Sequence, residues 1–178
     1  MSGYILPYQG VMPTIATDAF IAPNATVIGN VTIGSQSSVW FNTVIRGDVM
    51  SISIGERTNL QDGTIVHVTG GMFDTVIGSD VLIGHRAIVH GATLEDGCFV
   101  GMAATILDGA VVETGALVAA GAMVTPGSGS NGVNSGPEAQ QSFSAKSMKQ
   151  NSKSLQMVRR ATVNWAKITR KLLKKYPI

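Results

Sequence analysis

Residues 94–123 divide into five consecutive six-residue units, LEDGCF, VGMAAT, ILDGAV, VETGAL and VAAGAM. Each unit opens with an aliphatic residue, and a small residue fills the fifth position. Six residues is neither a helical period nor a simple strand alternation. A hexapeptide period is typical of a β-helix, in which each unit supplies one short strand and three units complete a triangular turn. This segment therefore predicts an all-β solenoid.

The same period extends through residues 15–124, with interruptions at 51–53 and at about 71–76. About sixteen units predict between five and six turns. The opening aliphatic residues are expected to point inward and stack along the axis, and the Gly, Asn and Asp residues to form the corners. Strand spacings near 8–12 residues, which a β-sandwich would need, are absent. We expect a parallel β-helix over residues 1–126, followed by an atypical loop and a C-terminal helix over 127–178.

Composition excludes several classes of protein. The chain has 178 residues, of which 44% are hydrophobic and 13% are charged, so it is not a disordered chain. Its single Cys excludes a disulfide framework and a Cys-rich zinc finger. The longest nearly apolar run, residues 115–124, is too short to span a bilayer. Residues 1–10 lack the basic and apolar segments of a signal peptide. We therefore expect a cytoplasmic protein that does not bind membranes.

Charge is divided unevenly along the chain. Residues 1–126 hold three basic and ten acidic residues, whereas residues 127–178 hold ten basic residues and one acidic residue. A basic tail often indicates a nucleic-acid partner. Here the basic residues accompany a weak apolar period, which favours a helix with a solvated basic face. We expect no nucleic-acid site.

Three histidines, His67, His85 and His90, are the only ones in the chain, and they lie within 24 residues of each other. Three imidazole groups and a water molecule form a common catalytic zinc site. The alternative is three unrelated histidines at the surface or at corners. Because His85 and His90 belong to neighbouring faces or a corner, one chain does not obviously bring all three together. A trimer would resolve this, with one chain supplying some ligands and its neighbour the rest.

Polar residues surround these histidines in the repeat: Arg46, Asp48, Asn59, Gln61 and Asp62. Charged groups in a scaffold this poor in charge need partners. Arg46 and Asp48 could pair across a subunit boundary, as part of the site or only as an interface ion pair. Asp62 could orient a His ring or an Arg, and Gln61 could hydrogen-bond a metal-bound water. For Asn59 and Asp62, an ordinary corner role is the alternative.

Four strings carry a family resemblance: VIRGDV (44–49), IGERTNLQDGTIVHV (54–68), VLIGHRAIVHGATL (81–94) and VGMAATILDGAVV (100–112). With the repeat, they make residues 4–126 resemble the γ-class carbonic anhydrase family. The resemblance implies a left-handed β-helix. It also implies a homotrimer with zinc, or iron, at the subunit interfaces.

The same resemblance assigns roles to individual residues. His67, His85 and His90 would be the metal ligands, two from one subunit and one from its neighbour. Arg46 and Asp48 would form an inter-subunit salt bridge, and Asn59 would belong to the residues that support the interface and the site. Gln61, with Asp62, would orient the metal-bound hydroxide that hydrates carbon dioxide to bicarbonate.

The segment before His85 departs from the fully active members of that family. They carry a long acidic loop with a proton-shuttling Glu, whereas residues 69–75 here read TGGMFDT, with Asp74 as the sole acid. Slow proton release would then limit turnover. Three alternatives follow: an acyl-CoA thioesterase that uses the same metal site, a hexapeptide transferase, and a non-enzymatic structural trimer.

The tail departs more strongly, because the family pattern G-E-x-W-x-G-x-P-A-K is missing after residue 126. Read one base out of frame, codons 132–146 can encode GEFWAGSPAKLFRE, which contains this pattern. We hypothesise a one-base deletion or a sequencing error near codon 127. The shifted reading would also account for the uneven charge, and the source DNA would settle it.

Overall fold

The computed structural model describes residues 3–127 and, in the tail, positions 164, 167–169, 171 and 175. The first range forms strands β1 (Tyr4–Leu6), β2 (Thr14–Ile15), β3 (Phe20–Ile21), β4 (Thr26–Ile33), β5 (Ser38–Val39), β6 (Val44–Ile54), β7 (Asn59–Leu60), β8 (Ile65–His67), β9 (Thr75–Ile77), β10 (Leu82–Ile83), β11 (Ile88–His90), β12 (Thr93–Leu94), β13 (Phe99–Val100), β14 (Thr105–Ile106), β15 (Val111–Val112), β16 (Leu117–Val118) and β17 (Met123–Val124). The described tail positions are helical.

These strands confirm the predicted fold class, a parallel β-helix followed by a short C-terminal helix. The β-helix has about seven turns, more than the five to six that the sequence predicted. The difference arises at the start of the chain, where β1 pairs with β4 although its residues precede the first six-residue unit. The boundary predicted at residue 127 stays a prediction, and the out-of-frame reading lies outside the described residues.

The strands stack into three faces. One of them, which we number the third face, is a separate sheet with the strand order β16-β13-β10-β7-β5-β3. The long strands β4 and β6 turn a corner and contribute to both other faces. The first face continues from β6 through β8, β11, β14 and β17, and the second through β9, β12 and β15. Each pairing between named strands is parallel, so each coil lies directly on the previous one. No helix at the described positions is long and apolar enough to cross a membrane.

The inward-facing residues form one continuous apolar column. On the first face, Val27, Ile45, Val66, Val89 and Ile106 follow one another in register, and each is fully buried. Their neighbours along each strand point outward, because side chains alternate across a strand. Burial of these aliphatic side chains is the main source of stability, at roughly 25 cal/mol per Å² of apolar surface.

Both interruptions of the repeat lie at the corner between the first and second faces. The pairing of β4 with β6 shifts there, because Gly29 pairs with Gly47 but Val31 pairs with Ile52. One coil later, β8 and β9 are joined by a short loop that Thr69 and Phe73 close with an antiparallel bridge. The additional residues are therefore confined to one corner, and the strands on either side stay in register.

Buried threonine side chains tie successive coils together. Thr58 is fully buried; its Oγ1 donates to the Gly78 carbonyl at 2.7 Å and accepts from the Val81 N–H at 3.1 Å. Thr43 and Thr75 also donate to backbone carbonyls. These hydroxyls satisfy backbone groups that the tight corners leave unpaired by the strand ladders.

We expect Thr58→Val, which keeps the side-chain shape, to lower the free energy of unfolding by about 1–3 kcal/mol, because it leaves a buried carbonyl and a buried N–H unpaired. Urea denaturation measures the loss. Thr105→Val is the control, since Thr105 is only half-buried and its replacement should cost under about 0.5 kcal/mol. Equal losses would contradict the bridging role.

Val111 and Val112 offer a matched test of the inward column. Val112 is 1% exposed, whereas Val111 precedes it on β15 and points to the opposite side. Val112→Ala should lower the free energy of unfolding by about 2 kcal/mol through lost burial and a residual cavity. Val111→Ala should cost well under half as much in the same denaturation experiment. A larger loss at Val111 would show that the two faces have been assigned the wrong way round.

Candidate metal centre

Two of the three histidines lie side by side on the first face. His67 ends β8 and His90 ends β11, and the two residues are partners in the strand register. They point outward because the preceding residues, Val66 and Val89, belong to the buried column. The Nδ1 of His67 lies 3.0 Å from the Nε2 of His90. The insertion between β8 and β9 lengthens the sequence separation of the two histidines to 23 residues, and the two side chains still stack on each other.

A carboxylate holds the far nitrogen of each of these rings. Asp48 Oδ1 lies 2.9 Å from His67 Nε2, and the other oxygen of Asp48 contacts Arg46. Asp108 Oδ1 lies 2.7 Å from His90 Nδ1. These five residues, Arg46, Asp48, His67, His90 and Asp108, form a continuous chain of polar contacts, which we call the histidine edge.

The two carboxylates of the histidine edge are stabilised in their ionised form. Burial acts to raise the pKa of Asp48, but hydrogen bonds from His67 and Arg46 outweigh it and hold that pKa below its ordinary value. The hydrogen bond from His90 is the largest influence on Asp108 and lowers its pKa, with a further contribution from Thr69. An ionised carboxylate only accepts hydrogen bonds, so both carboxylates face the imidazole rings as acceptors.

His85 lies elsewhere, in the turn between β10 and β11. Its Nδ1 is 2.9 Å from Asp62 Oδ2, and both side chains are exposed, at 47% and 42%. We call His85, Asp62 and the adjoining Gln61 the His85 corner. The strand β11 separates this corner from His90, by up to about 16 Å for five extended residues. Within the described part of the chain, no three His, Cys, Asp or Glu side chains converge as a metal site.

Asn59 lies on β7 and Gln61 directly follows it, one coil below His85. The backbone carbonyl of Gln61 accepts from the hydroxyls of Thr43 and Thr64. Asn59 donates through Nδ2 to Ser38 Oγ at 2.7 Å, whereas its Oδ1 is buried and has no hydrogen-bond partner among the residues described. The side chain of Asn59 is therefore held through its amide nitrogen.

The short loop between β8 and β9 has one carboxylate, and that carboxylate is engaged. Asp74 Oδ1 accepts from both the N–H and the hydroxyl of Ser51, each at 2.7 Å. Asp74 thus ties the loop to the neighbouring insertion at the same corner. This contact holds the carboxylate of Asp74 at that corner.

The structure divides the residues that the sequence singled out into two groups at opposite edges of the first face. Arg46 and Asp48 contact each other within one chain, and their expected pairing across a subunit boundary stays a prediction. Sequence reasoning did not identify Asp108 or its partner Thr69. The available signal was spacing, since Asp108 follows His90 by 18 residues, which is one uninterrupted coil of three six-residue units.

Comparisons with known proteins agree with the repeat. The family model described as "Bacterial transferase hexapeptide (six repeats)" matches residues 12–47, and "Hexapeptide repeat of succinyl-transferase" matches 74–103 and 92–126. A solved structure from Anaplasma phagocytophilum, described as a hexapeptide transferase family protein, is 38% identical with a TM-score of 0.76. The match covers 92% of this chain and 96% of that one.

Curated relatives identify the branch. "Gamma carbonic anhydrase 2, mitochondrial" from Arabidopsis thaliana is 53% identical over 104 residues, which are 56% of this chain and 37% of the plant protein. "Carbonic anhydrase" from Geobacillus kaustophilus is 45% identical over 106 residues, 60% of this chain and 58% of the bacterial protein. The matched region thus spans well under two thirds of either relative. The repeat, the β-helix and these similarities show that the chain belongs to the γ-class carbonic anhydrase family of hexapeptide-repeat proteins.

Proposed function

We propose that this protein hydrates carbon dioxide reversibly to bicarbonate, with a zinc or iron ion held between the subunits of a homotrimer. The observation that carries the proposal is the distribution of the histidines, two converging on one edge of a face and the third at the opposite edge. Membership of the γ-class family and the similarity to proteins named carbonic anhydrase support the reaction.

The histidine edge suits two ligands of one metal ion. Zinc–nitrogen bonds of about 2.0–2.1 Å in a tetrahedral site put two ligand nitrogens about 3.4 Å apart. The facing nitrogens of His67 and His90 are already 3.0 Å apart. A carboxylate on the other nitrogen of a ligating imidazole fixes the ring and raises its basicity, and Asp48 and Asp108 stand in that position.

The third ligand would be the His85 of a neighbouring subunit. Asp62 engages its Nδ1, and its Nε2 makes no polar contact with a described residue. An exposed imidazole at an edge of the β-helix is suited to insertion beside the histidine edge of another copy. Heterologous contacts of this kind close into a ring when a threefold axis relates the subunits.

The chain's own groups would position the reactants around the metal. A bound zinc ion supplies one piece of chemistry, the acidification of a water molecule so that a nucleophile exists near neutral pH. Gln61, next to Asp62 on the His85 corner, would offer its side-chain amide to that water. Asp62 would hold the His85 ring, and Arg46 and Asp48 would hold His67. The reaction adds the water oxygen to the carbon of carbon dioxide and releases one proton.

Metal content and oligomer mass, measured on the same preparation, test the proposal. We expect a trimer with about one metal ion per chain and measurable hydration of carbon dioxide, and His90→Ala should lose the metal. A trimer without metal when supplied with zinc or ferrous iron would overturn the proposal. A metal-loaded trimer without hydratase activity would overturn the assigned reaction alone.

Complementation between two inactive variants tests whether the site is shared. In a cyclic trimer, each site would take His85 from one chain and His67 with His90 from the next. His85→Ala and His90→Ala should each bind no metal alone. Trimers assembled from equal amounts of both should regain about one quarter of the wild-type metal, since a random mixture makes that fraction of interfaces complete. Metal content that stays at zero in the mixture would place all ligands within one chain.

Proton release offers a kinetic test. Because Asp74 is engaged by Ser51, we expect turnover to depend on buffer as the proton acceptor. Raising the imidazole concentration should increase kcat several-fold and leave kcat/KM for carbon dioxide unchanged, as stopped-flow measurements would record. Asp74→Asn should show the same buffer dependence as the wild type. A kcat independent of buffer would indicate an internal proton acceptor.

A further inference from the structure

The contacts of Asp108 extend beyond His90 and make it part of a built structure. Its Oδ2 accepts from the Thr69 hydroxyl at 2.8 Å, while its Oδ1 faces His90 Nδ1 at 2.7 Å. Each carboxylate oxygen thus has its own partner. Thr69 begins the short loop after β8, so Asp108 joins three successive coils at one corner. A carboxylate held in this way has little freedom to turn.

Gly91 leaves the space that Asp108 occupies. It adopts a positive φ of 56°, and a Cβ at that position would lie 2.4 Å from Asp108 Oδ1 and 3.0 Å from Phe73 Cβ. A side chain there would force the carboxylate away from His90. The residue that follows a proposed ligand is therefore glycine for two reasons, the backbone conformation and the closeness of Asp108.

From these contacts we infer that Asp108 is the positioning residue that fixes the tautomer of His90. With its hydrogen on Nδ1, directed at Asp108, the ring presents the lone pair of Nε2 toward His67. The other tautomer would place a hydrogen on the nitrogen that has to bind the metal. This inference rests on the proposed function for its metal, but the tautomer itself is a property of the metal-free protein.

The experiment combines two measurements on the full-length protein. Nitrogen-15 NMR of the imidazole rings reports the tautomer of His90 without metal, and competition with a chelator gives the zinc dissociation constant. Wild-type His90 should carry its hydrogen on Nδ1. Asp108→Asn, which keeps the shape and removes the charge, should lose this preference and weaken zinc binding by about 10–100-fold. Asp96→Asn is the control, because Asp96 caps the Ser79 N–H on another corner and should change neither value.

A pair of glycine variants provides a second test that keeps every polar group. Gly91→Ala and Gly121→Ala both place a Cβ at a positive φ, 56° and 69°, but only the first meets a neighbour within 4 Å. Both should lose similar stability through backbone strain, whereas only Gly91→Ala should also disturb the His90 tautomer and weaken zinc binding. Equal effects of the two on zinc binding would overturn the inference.

The remaining outcomes separate this inference from the proposed function. An unchanged tautomer in Asp108→Asn, or zinc affinity within about twofold of the wild type, would overturn the positioning role. If the wild type takes up no zinc, the proposed function fails. In that case the NMR measurement still decides whether Asp108 fixes the His90 tautomer.

Discussion

The rest of the structure depends on one constraint, the parallel backbone ladder that places each coil directly on the previous one. Because the register between coils is fixed, a residue meets the residues at equivalent positions one coil above and one coil below. Val66 stacks on Val89 in the interior, and His67 stacks on His90 outside. The same ladder therefore builds the apolar column and the polar site. A register shift would disrupt both, since a slip of one residue exchanges the two faces of a strand.

The site shows how such stacking handles charge. Arg46, His67 and His90 occupy successive coils, and a stack of basic groups alone would be unfavourable. Asp48 stands between Arg46 and His67, and Asp108 ends the chain of contacts beside His90. The one direct contact between bases joins His67 and His90. A cation placed between the two rings would bind nitrogen atoms that are already positioned, at little further cost in side-chain entropy.

The fold followed from the sequence because a six-residue period has few physical explanations. The number of turns was underestimated because β1 joins the sheet through backbone pairing with β4, which requires no hexapeptide pattern. The neighbourhood of His67 and His90 was only partly foreseeable, since the insertion hides their common register. Asp108 was missed because an Asp before a Gly reads as an ordinary corner residue. The sequence already indicated that His85 lies apart from His90, since five residues of strand and turn cannot return to the same edge.

The insertions at the corner beside the histidine edge have a consequence for how this scaffold changes over evolutionary time. Residues added after Gly47 or between Thr69 and Phe73 leave the hydrogen-bonded rungs on both sides undisturbed. Loop length there alters closure entropy only slowly. The segments beside His67 and His90 can thus vary in length while the stacked strands stay unchanged. An insertion at this corner can change what surrounds His67 and His90 while the apolar column beneath it keeps its register.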